Sequence, residues 1–167
     1  MDSLFEELVA IDSETALRFF LTGIREMSCA ERLRDDEACY VASILAHYSL
    51  TSRSDAVSMP SLANLSEVFD HFILQTSMLE NADLLEFGGS QILLFAGFFR
   101  DQMHRRHNVA WYDQVGQSLY GRASQHAKSP KRRDLFDRLS ESLPAWTIVC
   151  RDLSRGLRDN RLLLRMN

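Results

Sequence analysis

Breaker residues are scarce in this chain. It carries seven glycines and three prolines in 167 residues, about half of ordinary usage, which is roughly 12% for the two together. A fold of many short strands needs a turn every few residues, and such turns draw on Gly and Pro. The shortage excludes a many-turned β architecture and favours long helices. Cysteine is equally sparse. Cys29, Cys39 and Cys150 are odd in number, far apart and in no C-x-x-C pair, whereas a disulfide framework or zinc site needs a clustered set. Three reduced, mostly buried thiols are the expectation, and no cofactor is implied.

Long apolar runs are missing too. The longest, Ile92 to Phe99, has eight residues, against about 20 for a membrane span. The opening Met-Asp-Ser-Leu-Phe-Glu-Glu is acidic and lacks the cationic and apolar regions of a signal peptide. A cytoplasmic protein with no membrane partner is therefore expected. Lysine is nearly absent, Arg outnumbering it 17 to 2.

What is present belongs to an ordinary globular chain, with 46% hydrophobic and 25% charged residues and a length that suits one domain. No internal repeat and no interdomain linker stands out, so residues 1–167 read as a single helical domain. The net charge of −4 conceals an asymmetry. Residues 1–95 hold 16 Asp/Glu against 5 Arg, and residues 96–167 hold 14 Lys/Arg against 7 Asp/Glu.

The periodicity is helical throughout. Ser3 with Glu6 and Ser28 with Glu31 form capping boxes. From Asp12 or Ser13, Leu17, Phe20, Leu21, Ile24 and Met27 fall at helical spacing. After Ser28 the apolar face takes in Leu33, Val41, Ile44, Leu45 and Tyr48, as one helix or as two broken near Asp35 and Asp36. Residues 51–61, serine-rich and ended by Pro60, form the main loop. Leu62, Leu65, Phe69, Phe72, Thr76 and Leu79 alternate steps of three and four, a short seam of coiled-coil type. Asn81 then caps a helix whose later turns, around Ile92 to Phe99, are apolar almost all the way round. A buried central helix over residues 90–107 is expected, with Gly88, Gly89 and Gly97 marking either the close approach of a neighbour or a break at Gly88-Gly89. Asn108 marks a boundary before a stripe of Tyr112, Val115, Leu119 and Ala123. Ser129-Pro130 is a good N-cap and first-turn pair ahead of Leu135, Phe136, Leu139 and Leu143. Pro144 is read as starting a last helix with Trp146, Val149, Cys150, Leu153 and Leu157 on one face. The fold class is all-α, a single-domain bundle of six to eight helices.

Four groups of residues are candidates for function. Asp101, His104 and His107 follow at i,i+3 steps, and Glu67, Asp70 and His71 lie on the preceding helix. Carboxylates and imidazoles from facing helices build metal sites in bundles, but the Glu-x-x-His and His-Glu-x-x-His signatures are absent, and Arg105 and Arg106 would repel a cation. Lys128, Lys131, Arg132 and Arg133 crowd a helix start, where cations oppose the helix dipole, and such a misfit invites an anion. Nucleic acid fits that cluster poorly, since the chain is acidic overall and shows no nucleic-acid-binding signature. The interleaved Asp134, Asp137, Asp152 and Asp159 would pair with nearby arginines at i,i+3 or i,i+4. No nucleophile elbow, P-loop or dinucleotide fingerprint is present. Finally, Arg100, Arg105, Arg106, Trp111 and Tyr112 form an aromatic and arginine-rich stretch of the kind that makes interface hot spots, and the tail Leu162-Leu163-Leu164 also needs apolar cover.

These features favour a non-enzymatic helical interaction protein that self-associates, as a homo-oligomer, or binds a protein partner. One alternative is a metal-binding bundle or enzyme using Asp101, His104 and His107 with Glu67 and His71. The other is anion or nucleic-acid binding by the basic C-terminal half.

Overall fold

The computed structural model describes residues 13–27, 33–54, 80–103 and 108–165, with the backbone alone for 51–54 and 159–165. These residues form six α-helices, α1 (Ser13–Arg25), α2 (Asp35–Ser54), α3 (Ala82–Leu93), α4 (Arg100–Met103), α5 (Val109–His126) and α6 (Pro130–Arg165), with a π turn at Leu94–Phe98 between α3 and α4. No strand occurs among them, and the architecture is all-α. The chain divides into two compact units, residues 1–68 and 69–167, each with its own buried residues.

In the first unit α1 packs on α2. Ala16, Phe20 and Ile24 recur every fourth residue on α1 and are buried, which is the spacing that keeps one face turned toward a neighbour. Across from them α2 buries Ala38, Val41, Ala42, Leu45 and Ala46. Asp35, Asp36 and Glu37 fill its first turn, where carboxylates complement the positive end of the helix dipole, and Asp36 Oδ1 accepts the Glu37 N–H at 3.0 Å. These aspartates therefore begin a helix and do not break one. At its other end α2 runs to Ser54, so the expected loop over 51–61 starts later than its composition suggested. The helical backbone continues through the polar run Thr51-Ser52-Arg53-Ser54, because polarity alone does not end a helix. Cys39 on this helix is exposed, against the expectation for the thiols. The Ser3 and Ser28 capping boxes, Cys29, residues 55–61 and the Leu62–Leu79 seam lie outside the described residues.

The second unit is built on α5, which packs against both α3 and α6. Asn81 caps α3, its side chain accepting the N–H groups of Asp83 at 3.0 Å and Leu84 at 3.3 Å. The helix passes Gly88-Gly89 without a break. A Cβ on Gly89 would lie 2.8 Å from the Tyr120 ring, so close approach is what that glycine permits. Through Ile92, Leu93, Leu94, Phe95 and Ala96 the chain is at most 5% exposed, and these residues are the expected buried centre. Asn108 caps α5 by accepting the Trp111 N–H at 3.4 Å, and Gly116, Leu119, Tyr120 and Ala123 turn inward.

Helix α6 begins at Pro130, with Ser129 O accepting the Arg133 N–H at 3.0 Å. It does not start afresh at Pro144, which lies in its interior. Proline removes one helical hydrogen bond and crowds the carbonyl four residues back, at a cost of about 3 kcal/mol. What carries the helix through is burial. Phe136, Leu139, Leu143, Trp146, Val149 and Cys150 form one stripe on both sides of the proline, each at most 1% exposed. Full burial of one large side chain is worth roughly 1.5–3 kcal/mol, so the stripe outweighs the proline several-fold.

Candidate functional site

The buried central run does not continue as an α-helix. Over Leu94–Phe98 it widens by one residue per turn, and Phe99 N–H donates to Leu94 O, five residues back, at 2.9 Å. The turn meets α6 at Gly97. A Cβ there would sit 2.9 Å from Cys150 Cβ and 3.2 Å from Thr147 Cα, so the α6 backbone runs directly against the turn. Single π turns inside helices leave carbonyls to be satisfied by other donors and often occur at functional sites.

Here the donor is Arg100. Its guanidinium reaches Ala96 O at 3.2 Å, Thr147 Oγ1 at 3.4 Å and Asp113 Oδ2 at 3.5 Å. Both partners of the ion pair are largely buried, with side chains 19% exposed for Arg100 and 13% for Asp113. The Thr147 hydroxyl donates to Pro144 O at 3.0 Å and also lies within hydrogen-bond reach of Asp113. A hydroxyl has one proton to give, so it serves one of these acceptors at a time. Asp113 Oδ1 is buried with no hydrogen-bond partner among the described residues. Burial pushes the Asp113 carboxyl above its ordinary value, and the Arg100 charge and the Thr147 and Arg100 hydrogen bonds only partly pull it back. The three residues come from α4, α5 and α6 and tie the π turn to both neighbouring helices.

Sequence reasoning missed this junction. A signal for it exists in the register. Asp113 falls on the same stripe as the buried Val109, Gly116 and Tyr120, and Thr147 lies beside the buried Leu143, Trp146 and Cys150. A charged or hydroxyl residue in a core register needs partners, and Arg100, one turn past Ala96, supplies them.

The residues singled out from sequence are scattered. Asp101 is held by Arg155, through paired bonds of 2.8 and 2.9 Å, and by Arg158 at 2.6 Å. The Arg155 hydrogen bonds, with Arg158 beside them, hold its carboxyl down to about 2, so at neutral pH it is an anion and no proton donor. Glu67, Asp70, His71, His104 and His107 lie outside the described residues, as do Arg105 and Arg106. Among the described residues no three metal-ligating side chains converge.

The basic helix start has internal work. Arg132 bonds Asp83 at 2.8 Å, pairs with Glu86 and stacks over the Phe136 ring at 5.4 Å. Arg133 donates to Ala127 O at 3.2 Å, satisfying a carbonyl at the end of α5. Lys128 and Lys131 are exposed. Local pairing occurs for Asp134 with Arg138 and for Asp152 with its neighbour Arg151, whereas Arg155 and Arg158 reach across to Asp101 instead.

The aromatic stretch also divides. Trp111 is 39% exposed and meets Tyr112 edge to face at 5.0 Å between centroids, while Arg100 turns inward to the junction. An open hollow in the first unit is lined by Ile24, Arg25, Leu33, Arg34, Asp35 and Asp36, away from these residues in sequence. No described helix is long and apolar enough to cross a membrane. Comparison with protein-family models, with curated proteins and with solved structures finds no match to this chain.

Proposed function

We propose that this chain is a cytoplasmic, non-enzymatic helical interaction protein, which self-associates as a homo-oligomer or binds a protein partner through the first turn of α5. The observation that carries the reading is Trp111, 39% exposed on a side-chain-capped helix and set edge-on to Tyr112. An indole held in one place loses little entropy on binding, and Trp and Tyr dominate interface hot spots, where truncation costs about 2 kcal/mol or more. Phe87, at 52% exposed, and Ile148, at 39%, add apolar surface to the same unit. Arg100 drops out of the contact set, because its guanidinium is engaged within the fold.

Sedimentation velocity at micromolar concentration, in low and in high salt, tests the self-association arm. The expected result is a concentration-dependent oligomer that Trp111→Ala weakens at least tenfold, about 1.4 kcal/mol. A strict monomer at both salt concentrations removes self-association. An oligomer of equal strength in the variant moves the contact elsewhere. The emission of Trp111 should shift to the blue on association while Trp146, fully buried, reports nothing, which identifies the surface covered by either kind of partner.

A further inference from the structure

The Arg100–Asp113–Thr147 junction has a feature that a purely structural ion pair lacks. One carboxylate oxygen faces a cation at 3.5 Å, and the other is buried with no donor among the described residues. A buried carboxylate is stable as an anion when its lone pairs are filled by donors. Asp113 has them on one side only. A proton on Oδ1 removes the charge and leaves Oδ2 where it is, beside Arg100. The junction also sits where the backbone is least regular, because Arg100 supplies the Ala96 carbonyl inside the π turn, and Gly97 holds that turn against Thr147 and Cys150.

We propose that this junction is a proton-operated joint, which closes the π turn onto α5 and α6 when Asp113 carries a proton on Oδ1 and loosens it when that proton leaves. Among the described residues, Arg100, from α4, is the charged group that acts on Asp113. α6 contributes the Thr147 hydroxyl, and Arg151, one turn further along, is taken by Asp152. From α3, Ile92 reaches Gly116, one turn beyond Asp113. The sign follows from burial. The closed form holds the Asp113 carboxyl above its ordinary value, and a form in which the carboxylate meets water does not, so acid favours the closed form and rising pH favours the open one. The joint carries consequences for the first turn of α5, since Trp111 and Tyr112 immediately precede Asp113, but it does not depend on any association by them.

Hydrogen exchange of the backbone amides of residues 94–103, corrected for intrinsic rates, reads the joint directly in the full chain. In the wild type, protection should fall as pH rises above the ordinary aspartate range, by about tenfold for each unit by which the closed form raises Asp113. Asp113→Asn, uncharged at every pH, should be protected at neutral pH to the level the wild type reaches only in acid, with no pH dependence of its own. Arg100→Gln takes away a charge that favours the anion and should displace the profile to higher pH, with Arg100→Lys between the two. The carboxyl-carbon resonance of Asp113 provides a second measure that does not rely on the variants, and its midpoint should lie above that of an ordinary aspartate. The proposal is overturned if Asp113→Asn leaves protection and its pH dependence as in the wild type, or if the Asp113 resonance titrates at or below the ordinary value. A strictly monomeric protein would end the self-association arm and leave these outcomes unchanged.

Discussion

At Gly97 the absence of one carbon decides how two helices meet. A Cβ there would press on the Thr147 Cα at 3.2 Å and the Cys150 Cβ at 2.9 Å, and neither atom can swing away as the end of a long side chain does. Gly97→Ala should therefore lower stability by about 1–3 kcal/mol, the usual cost of overpacking, although alanine gains up to about 1 kcal/mol of helix propensity. Chemical denaturation compared with wild type checks this, and a neutral or stabilising result would mean that the α6 backbone moves aside cheaply. The same scale shows what sequence alone could reach. A lone glycine inside an apolar run announces a close approach, and the run itself announces burial. It does not say which helix arrives, and so it cannot show that Thr147 and Arg100 come together there. The thiols illustrate the same limit. Cys150 sits fully buried, its pKa pushed up to about 12 by burial alone, while Cys39 is exposed; composition treats them alike.

For single elements, α6 is the instructive case. Its apolar residues follow one stripe from Phe136 to Leu153, and that stripe was legible in the sequence as two helices separated at Pro144. Local rules favoured a boundary, because proline suits a first turn and disfavours an interior. Tertiary burial on both sides overrode the local rule, which no single-residue preference can reveal. The proline nonetheless remains a defect, since the Ser140 carbonyl four residues earlier loses its helical N–H partner. Pro144→Ala should restore that bond and raise the stability of the protein, by about 1 kcal/mol or more, visible as a higher thermal midpoint. A lower midpoint would mean that the proline itself is what fits α6 to its neighbours. Thr147 takes part in that geometry, because its hydroxyl donates to the Pro144 carbonyl, so the exchange of residues 94–103 should be measured in the same variant. The π turn shows the opposite failure. Nothing in the pattern of Leu94-Phe95-Ala96-Gly97-Phe98 distinguishes it from an α-helix.

Across the whole chain, the charge asymmetry divides into specific pairs. Arg132 in the basic half reaches Asp83 and Glu86 in the acidic half, but Arg155 and Arg158 find Asp101 within the basic half itself. These pairs are substantially exposed, and exposed ion pairs contribute a few tenths of a kcal/mol to about 1 kcal/mol each, so they fix register more than they hold the molecule together. Cohesion comes from apolar contacts, and residues 69–167 form a compact unit with such contacts of their own. Gly89 meets Tyr120, Gly116 meets Ile92 and Leu143, and Tyr120 stacks near Phe136 at 6.0 Å. The reading of one domain came from the lack of a linker, and a linker is a statement about composition, whereas a compact unit is a statement about contacts. A fragment of residues 69–167 tests the difference. It should unfold cooperatively and keep the near-ultraviolet signal of the fully buried Trp146 and Tyr120, since Gly89 and Phe136, which meet the Tyr120 ring, travel with the fragment. A fragment with helical content but no cooperative transition and no such signal would show that residues 1–68 complete its core, and the chain would then be a single cooperative domain.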